Sequence, residues 1–267
     1  MSRIKACFEE AKRAQKKLLI PYITAGDGGM EKTLQSLYAL AENGADIIEV
    51  GMPFSDPMAD GPTIQKACER ALNAGMDLAG VLEICRQFRQ RYKSVPLVLM
   101  GYLNPMWRYG LEKLAKDSAA AGVDGFLVVD CPPEEAPQLQ EHLQKYDLDQ
   151  IFLVAPTSTT ERMKSIADMA SGFIYYVSMK GVTGTNNVDG DSLSEPMNQL
   201  RGFSDLPLAV GFGIKTAEHA VAVAKYADAI VIGSALVEAL LISKNVEKTV
   251  VTFLQPIRHA LDEVSQK

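Results

Sequence analysis

Histidine is scarce in this chain: His142, His219 and His259 are the only three in 267 residues, and they lie far apart. That spacing excludes a histidine-built metal centre and leaves each as an ordinary helix residue. Cysteine is nearly as sparse. Cys7, Cys68, Cys85 and Cys131 form no C-x-x-C pair, so neither a zinc site nor a disulfide framework is expected, and reduced thiols in a cytoplasmic protein are. There is no excess of positive charge. The formal net charge is −6, which excludes the electrostatic footprint of a nucleic-acid or anionic-membrane partner. No long hydrophobic run exists either. The most apolar long window, 227–243, contains Asp228 and Glu238 and is short for a membrane span. The N-terminal MSRIKACFEEAKRAQKK lacks the apolar stretch of a signal peptide. Its Ile4, Phe8 and Ala11 predict an amphipathic helix instead.

What the chain does have is a recurring unit. ENGADIIEVG ends near Gly51, AAGVDGFLVVD at Asp130, ASGFIYYVS at Ser178 and KYADAIVIGS at Ser234. Each is a helix end marked by Gly or another small residue, followed by a short β-branched run. Glycine supplies the left-handed cap, and continuous apolar runs suit strands buried on both faces. LLIPYITAG, PLVLMGY, QIFLVAP and PLAVGFG complete a set of eight such runs, separated by helical stretches. Eightfold strand–helix alternation implies a parallel sheet, most economically closed as an α/β (β/α)8 TIM barrel with an extra N-terminal helix. A doubly wound open sheet is the alternative. With no linker or break in composition, residues 1–267 are expected to form one domain.

In a barrel the chemistry sits at the C-terminal ends of the strands. Three glycine sets fall there on consecutive strands: Gly181 and Gly184, Gly211-Phe212-Gly213, and Gly233-Ser234 at the start of the apolar helix ALVEAL. Exposed backbone amides and a helix N-terminus favour an anion, so a phosphate site is expected. After the second strand comes EVGMPFSDPMADGP. Glu49 follows Ile47 and Ile48 at the expected strand end, where desolvation raises a carboxyl pKa and fits it for proton transfer near neutrality. Asp60 follows in a proline-stiffened loop. Asp60 or Thr63 could equally cap the next helix, and Asp56-Pro57 could be a plain turn. Two carboxylates in different settings can take different proton-transfer roles.

PFSDPMADGPTIQ, with Glu49 upstream and GVTG, GFGI and GSALV downstream, resembles the tryptophan synthase alpha chain family over nearly the whole chain. The resemblance implies a TIM-barrel lyase that cleaves indole-3-glycerol phosphate to indole and glyceraldehyde 3-phosphate without metal or organic cofactor. It implies Glu49 and Asp60 as catalytic residues. It implies phosphate binding by Gly184, Gly211, Phe212, Gly213, Gly233 and Ser234, and an indole pocket of Tyr22, Met100, Tyr102, Leu127, Leu153 and Tyr175. Thr183 would sit in a loop, 182–189, that closes over Asp60. A pyridoxal-phosphate-dependent beta chain is the implied partner, in an alpha2-beta2 tetramer. Its candidate docking surface is the barrel mouth at 53–56, 104–107 and 130–133, where Phe54, Met58, Met106 and Trp107 are large apolar residues in expected loops. Tyr22 and Met100 stand where Phe and Leu are frequent in the family, so Tyr22 adds a hydroxyl to the pocket wall.

Two other readings fit parts of the pattern. Lys180 would serve a Schiff-base aldolase, although it lies in a Gly-flanked loop rather than the desolvated setting an activated lysine needs. A barrel that only binds a phosphorylated ligand would have no use for both Glu49 and Asp60.

Overall fold

The computed structural model describes residues 2–177, 190–211 and 213–265. Eight parallel strands close into a barrel in sequence order, β8 pairing back onto β1. They are β1 (Leu18–Thr24), β2 (Ile48–Gly51), β3 (Leu97–Gly101), β4 (Gly125–Val128), β5 (Asp149–Val154), β6 (Ile174–Val177), β7 (Leu208–Gly211) and β8 (Ala229–Ile232). All eight match the runs expected from the sequence, and the closed ring sets aside the open sheet.

Helices wrap the ring. Those that matter for the site are α1 (Arg3–Arg13), α2 (Met30–Glu42), α3 (Pro62–Asn73), α4 (Leu78–Arg91), α5 (Leu103–Tyr109) and α6 (Leu111–Ala121). Beyond β4 run α7 (Ala136–Gln144), α8 (Thr160–Met169), α9 (Ser194–Phe203), α10 (Ala217–Ala224), α11 (Ser234–Leu241) and α12 (Val246–Ser265). Glycine ends α6 as expected: Gly122 takes φ +80°, and a side chain there would also collide with Arg89.

Strand residues divide with period two between two cores. Leu19, Ile48, Leu99, Phe126, Phe152, Ile174, Val210 and Ile230 pack outward against the helices. Leu18, Ile20, Ile47, Val98, Leu127, Ile151, Phe173, Ala209, Ala229 and Val231 fill the interior. The expected N-terminal helix, α1, belongs to that inner core. Its Ile4, Phe8 and Ala11 are buried and close the lower end of the barrel, with the Phe8 and Phe173 rings 5.7 Å apart.

The recurring unit has a second function at this lower end. The polar residue just before each even strand accepts a hydrogen bond from the start of the preceding odd strand. Asp46 takes Leu19 N at 2.9 Å, Asp124 takes Leu97 N at 2.8 Å, Ser171 takes Gln150 N at 2.9 Å and Asp228 takes Leu208 N at 2.9 Å. The three acids also hold arginines: Arg258 on Asp46, Arg89 and Arg3 on Asp124, and Arg201 on Asp228. The strand-pair register is therefore pinned four times around the bottom, leaving the top free for chemistry.

Candidate active site

Glu49 lies within β2, two residues before its end, rather than at the strand terminus expected from the sequence. The difference makes it deeper. It pairs in register with Tyr22 on one side and Val98 on the other, points into the barrel and is 2% exposed. Its Oε1 has no hydrogen-bond partner among the described residues. Burial first, and the charge of Asp60 second, push its carboxyl up to about 8. An acid poised there exchanges protons readily at physiological pH.

Asp60 sits in the turn before α3. It does not cap that helix: the N-cap is Gly61, with no side-chain cap bond, and Pro62 opens the first turn. The carboxylate is instead held from the neighbouring strand end. The Tyr102 hydroxyl donates to Asp60 Oδ2 at 3.0 Å and accepts from Ala59 N at 3.1 Å. Burial raises the Asp60 pKa, and the Tyr102 bond works against that rise. Tyr102, expected as a pocket wall, is thus a clamp on Asp60, and the Phe54 ring packs 5.3 Å from its own. Removing the clamp by Tyr102→Phe is expected to raise the Asp60 pKa and move the acid limb of the pH–rate profile upward. An acid limb that stays in place would show that Tyr102 does not act through Asp60. Asp56 is exposed and does not join the two acids.

Around the acids, Tyr22, Leu127, Met100, Leu153 and Tyr175 come from five different strands and share the interior with the inner core. Two strand glycines make room for the tyrosines. A Cβ on Gly51 would lie 2.1 Å from the Tyr22 hydroxyl oxygen, and one on Gly211 would lie 2.0 Å from that of Tyr175. Gly211, expected to serve phosphate, is buried at the end of β7, and its lack of a side chain is accounted for by Tyr175.

At the other side of the mouth, Gly233 is the N-cap of α11 and Ser234 its first residue. Gly213 takes φ +74°, a conformation that favours glycine. Phe212, Lys180, Thr183 and Gly184 lie outside the described residues.

A further anchor was not foreseen. Asp27, in the loop after β1, makes a two-pronged ion pair with Arg70 of α3 at 2.7 and 2.8 Å. It ties the helix that follows Asp60 to the neighbouring loop. Among the described residues no group of three His, Cys, Asp or Glu could hold a metal ion. A surface groove of about 860 Å³ lies away from the acids between α2 and the start of α12. Its Arg91 is paired with Glu42 and its Lys32 with the Leu240 carbonyl.

On the rim, Met58 and Trp107 are 76% and 54% exposed. Met106 and Trp107 both depart from the expected loop position and lie in α5. Met106 is completely buried because its side chain turns into the barrel–helix core, while Trp107 stays on the exposed face.

A family model described as "Tryptophan synthase alpha chain" matches residues 8–265. The chain belongs to the tryptophan synthase alpha chain family. A tryptophan synthase alpha chain of Methylibium petroleiphilum is 49% identical over 268 residues, spanning 100% of this chain and 98% of that one. One of Thioalkalivibrio sulfidiphilus is 52% identical, covering 90% of each. A crystal structure of tryptophan synthase subunit alpha from Legionella pneumophila superposes with a TM-score of 0.91 at 42% identity, covering 98% of this chain and 99% of that one. Tryptophan synthase alpha chains are lyases of tryptophan biosynthesis that cleave indole-3-glycerol phosphate, and this chain is one of them. Among the described residues no helix is long and apolar enough to cross a membrane.

Proposed function

We propose that Glu49 and Asp60 carry the cleavage of indole-3-glycerol phosphate in this chain, and that the glycine-rich side of the mouth holds the phosphate. The observation that supports this most is the Glu49 carboxyl itself: buried, lacking a partner at Oε1, and raised to about 8 within reach of the Asp60 field.

The reaction needs three things. Indole C3 must gain a proton, so that it can leave with the bonding electrons. The side-chain hydroxyl next to C3 must lose its proton, so that its carbon becomes the aldehyde of glyceraldehyde 3-phosphate. The positive charge that protonation places on the ring nitrogen must be stabilised. Glu49 delivers the proton to C3 and takes the hydroxyl proton as the carbon–carbon bond breaks, returning to its starting state. Asp60, ionised and held by Tyr102, accepts a hydrogen bond from the ring N–H and stabilises the developing charge. Asp60→Asn replaces that charge with a neutral amide and is expected to lower kcat severely. Near-normal turnover would remove Asp60 from the mechanism.

The aromatic ring occupies the space among Tyr22, Met100, Leu127, Leu153 and Tyr175. Phosphate binds Gly184, Gly213, Gly233 and Ser234, with Phe212 beside it, anchoring the substrate by a part that does not react. Gly213→Val both fills that space and strains a positive-φ position, so substrate affinity is expected to fall. Unchanged affinity for glycerol phosphate would misplace the anion site. Thr183, in a closing loop, is the proposed second partner of Asp60.

The proposed partner is a beta chain carrying pyridoxal phosphate, docked on the rim at Met58 and Trp107, to which indole passes in an alpha2-beta2 assembly. Large exposed apolar side chains of these types are enriched at such contacts. The experiment that tests the proposal is release of indole and glyceraldehyde 3-phosphate by the purified chain, with and without a beta chain. Release of both products, faster with the partner, is expected. A folded chain that releases no indole even with the partner would refute it.

A further inference from the structure

We propose that the paired hydroxyls of Tyr22 and Thr24 recognise the hydroxyl groups of the substrate's glycerol side chain. This rests on the site reading given above and adds a specificity-determining pair to it.

Tyr22 and Thr24 are two residues apart on β1, so they share its inner face. Their oxygens are 3.2 Å apart, and each residue is 4% exposed. Two hydroxyls bring two protons, and one mutual hydrogen bond uses only one of them. Neither hydroxyl has another hydrogen-bond partner among the described residues. One buried donor is therefore left over, a situation folded proteins avoid unless a ligand or water completes it.

The position of the Tyr22 ring says what that ligand is. Its root lies against Gly233, where an added Cβ would be 3.5 Å from the Tyr22 Cβ. Its hydroxyl end lies over Gly51, two residues beyond Glu49 on the same face of β2. The ring thus spans from the proposed phosphate end to the acids, the stretch that the three-carbon side chain of the substrate must cross. A spare donor from the pair and the unpartnered Glu49 Oε1 acceptor face the same interior. A substrate hydroxyl can satisfy both, donating to Glu49 and accepting from the Tyr22–Thr24 pair. Gly51 is part of the device, because any side chain there would displace the Tyr22 hydroxyl.

The test compares indole-3-glycerol phosphate with 3-(indol-3-yl)propyl phosphate, which keeps the ring and the phosphate but lacks both hydroxyls. Tyr22→Phe and Thr24→Val each remove one hydroxyl with little change of shape. In each variant kcat/KM for the substrate is expected to fall about 3- to 10-fold, the size of one neutral hydrogen bond. The inhibition constant of the propyl phosphate is expected to stay at the wild-type value, and melting temperatures to confirm folded variants. The double variant should lose more than either single one, since each single variant still keeps one hydroxyl with a free proton. A parallel loss for both compounds would reduce Tyr22 to a shaper of the pocket wall and overturn the inference, as would an unchanged kcat/KM. If the wild-type chain fails to bind the propyl phosphate at all, the site reading fails, and the inference with it.

Discussion

Glu49→Gln is expected to abolish cleavage while leaving the substrate bound. Glutamine keeps the shape and the hydrogen-bonding atoms, but it cannot pass a proton from the side-chain hydroxyl to indole C3. A general acid–base group contributes about 10²- to 10⁴-fold, and kcat should fall by that range with little change in affinity. The same substitution is expected to stabilise the barrel. Glu49 ionises near 4.5 when unperturbed and at about 8 in the fold. Between those values the folded chain holds a proton that the unfolded chain has lost, so wild-type stability declines as pH rises through this window and the full deficit is present above it. Each tenfold difference in proton affinity between the two states corresponds to about 1.4 kcal/mol. A glutamine at this position cannot ionise. The Glu49→Gln chain should therefore melt above the wild type at pH 8 to 9, with the gap closing toward pH 4.5, as scanning calorimetry across pH would record. Turnover within a few-fold of wild type would remove Glu49 from the mechanism.

Asp124→Ala is expected to cause a large loss of stability with no loss of catalytic competence in the protein that remains folded. Asp124 is buried before β4 and serves three groups at once: Leu97 N, the guanidinium of Arg89 at 3.0 Å and that of Arg3 at 2.7 Å. Arg89 is itself buried. It keeps carbonyl partners in Gly122, Tyr92 and Val95 but would lose its countercharge. Removing one member of a buried ion pair typically destabilises by about 3–5 kcal/mol, and for a chain of this size each kcal/mol lowers Tm by about 2–4 °C. Asp124→Asn keeps an acceptor for Leu97 N and should fall in between. A Tm unchanged by Asp124→Ala would show that the clips at the barrel bottom do not set its stability.

The barrel was legible because its strands are buried on both faces, so each reads as an unbroken β-branched run between small helix caps. The family motif brought Glu49 and Asp60 forward together; Glu49 is buried inside the barrel, and Asp60 lies half-buried in the turn before α3, held by Tyr102. Three features escaped for physical reasons. The depth of Glu49 depends on where β2 starts, and strand boundaries are set by pairing with neighbours rather than by local pattern. Met106 reads as a rim residue because NPMW looks like a loop, yet a short helix turns it inward. The Tyr102–Asp60 clamp joins residues 42 positions apart, which no local pattern encodes. The clips beneath the barrel left a signal that could have been used: GAD, GVD and YAD each place an aspartate just before an even strand. Gly51 and Gly211 left another, as glycines inside buried strands, where a missing side chain often marks the close approach of another group.

The measurement that bears most directly on the role of the two acids is the rate of release of indole and glyceraldehyde 3-phosphate from indole-3-glycerol phosphate by the wild-type, Glu49→Gln and Asp60→Asn chains, each shown to be folded and to bind substrate. The wild-type chain is expected to release the two products in equal amounts, the Glu49→Gln chain to release both at least about 10²-fold more slowly, and the Asp60→Asn chain to be severely slowed as well. Release at the wild-type rate by Glu49→Gln or by Asp60→Asn would contradict the account.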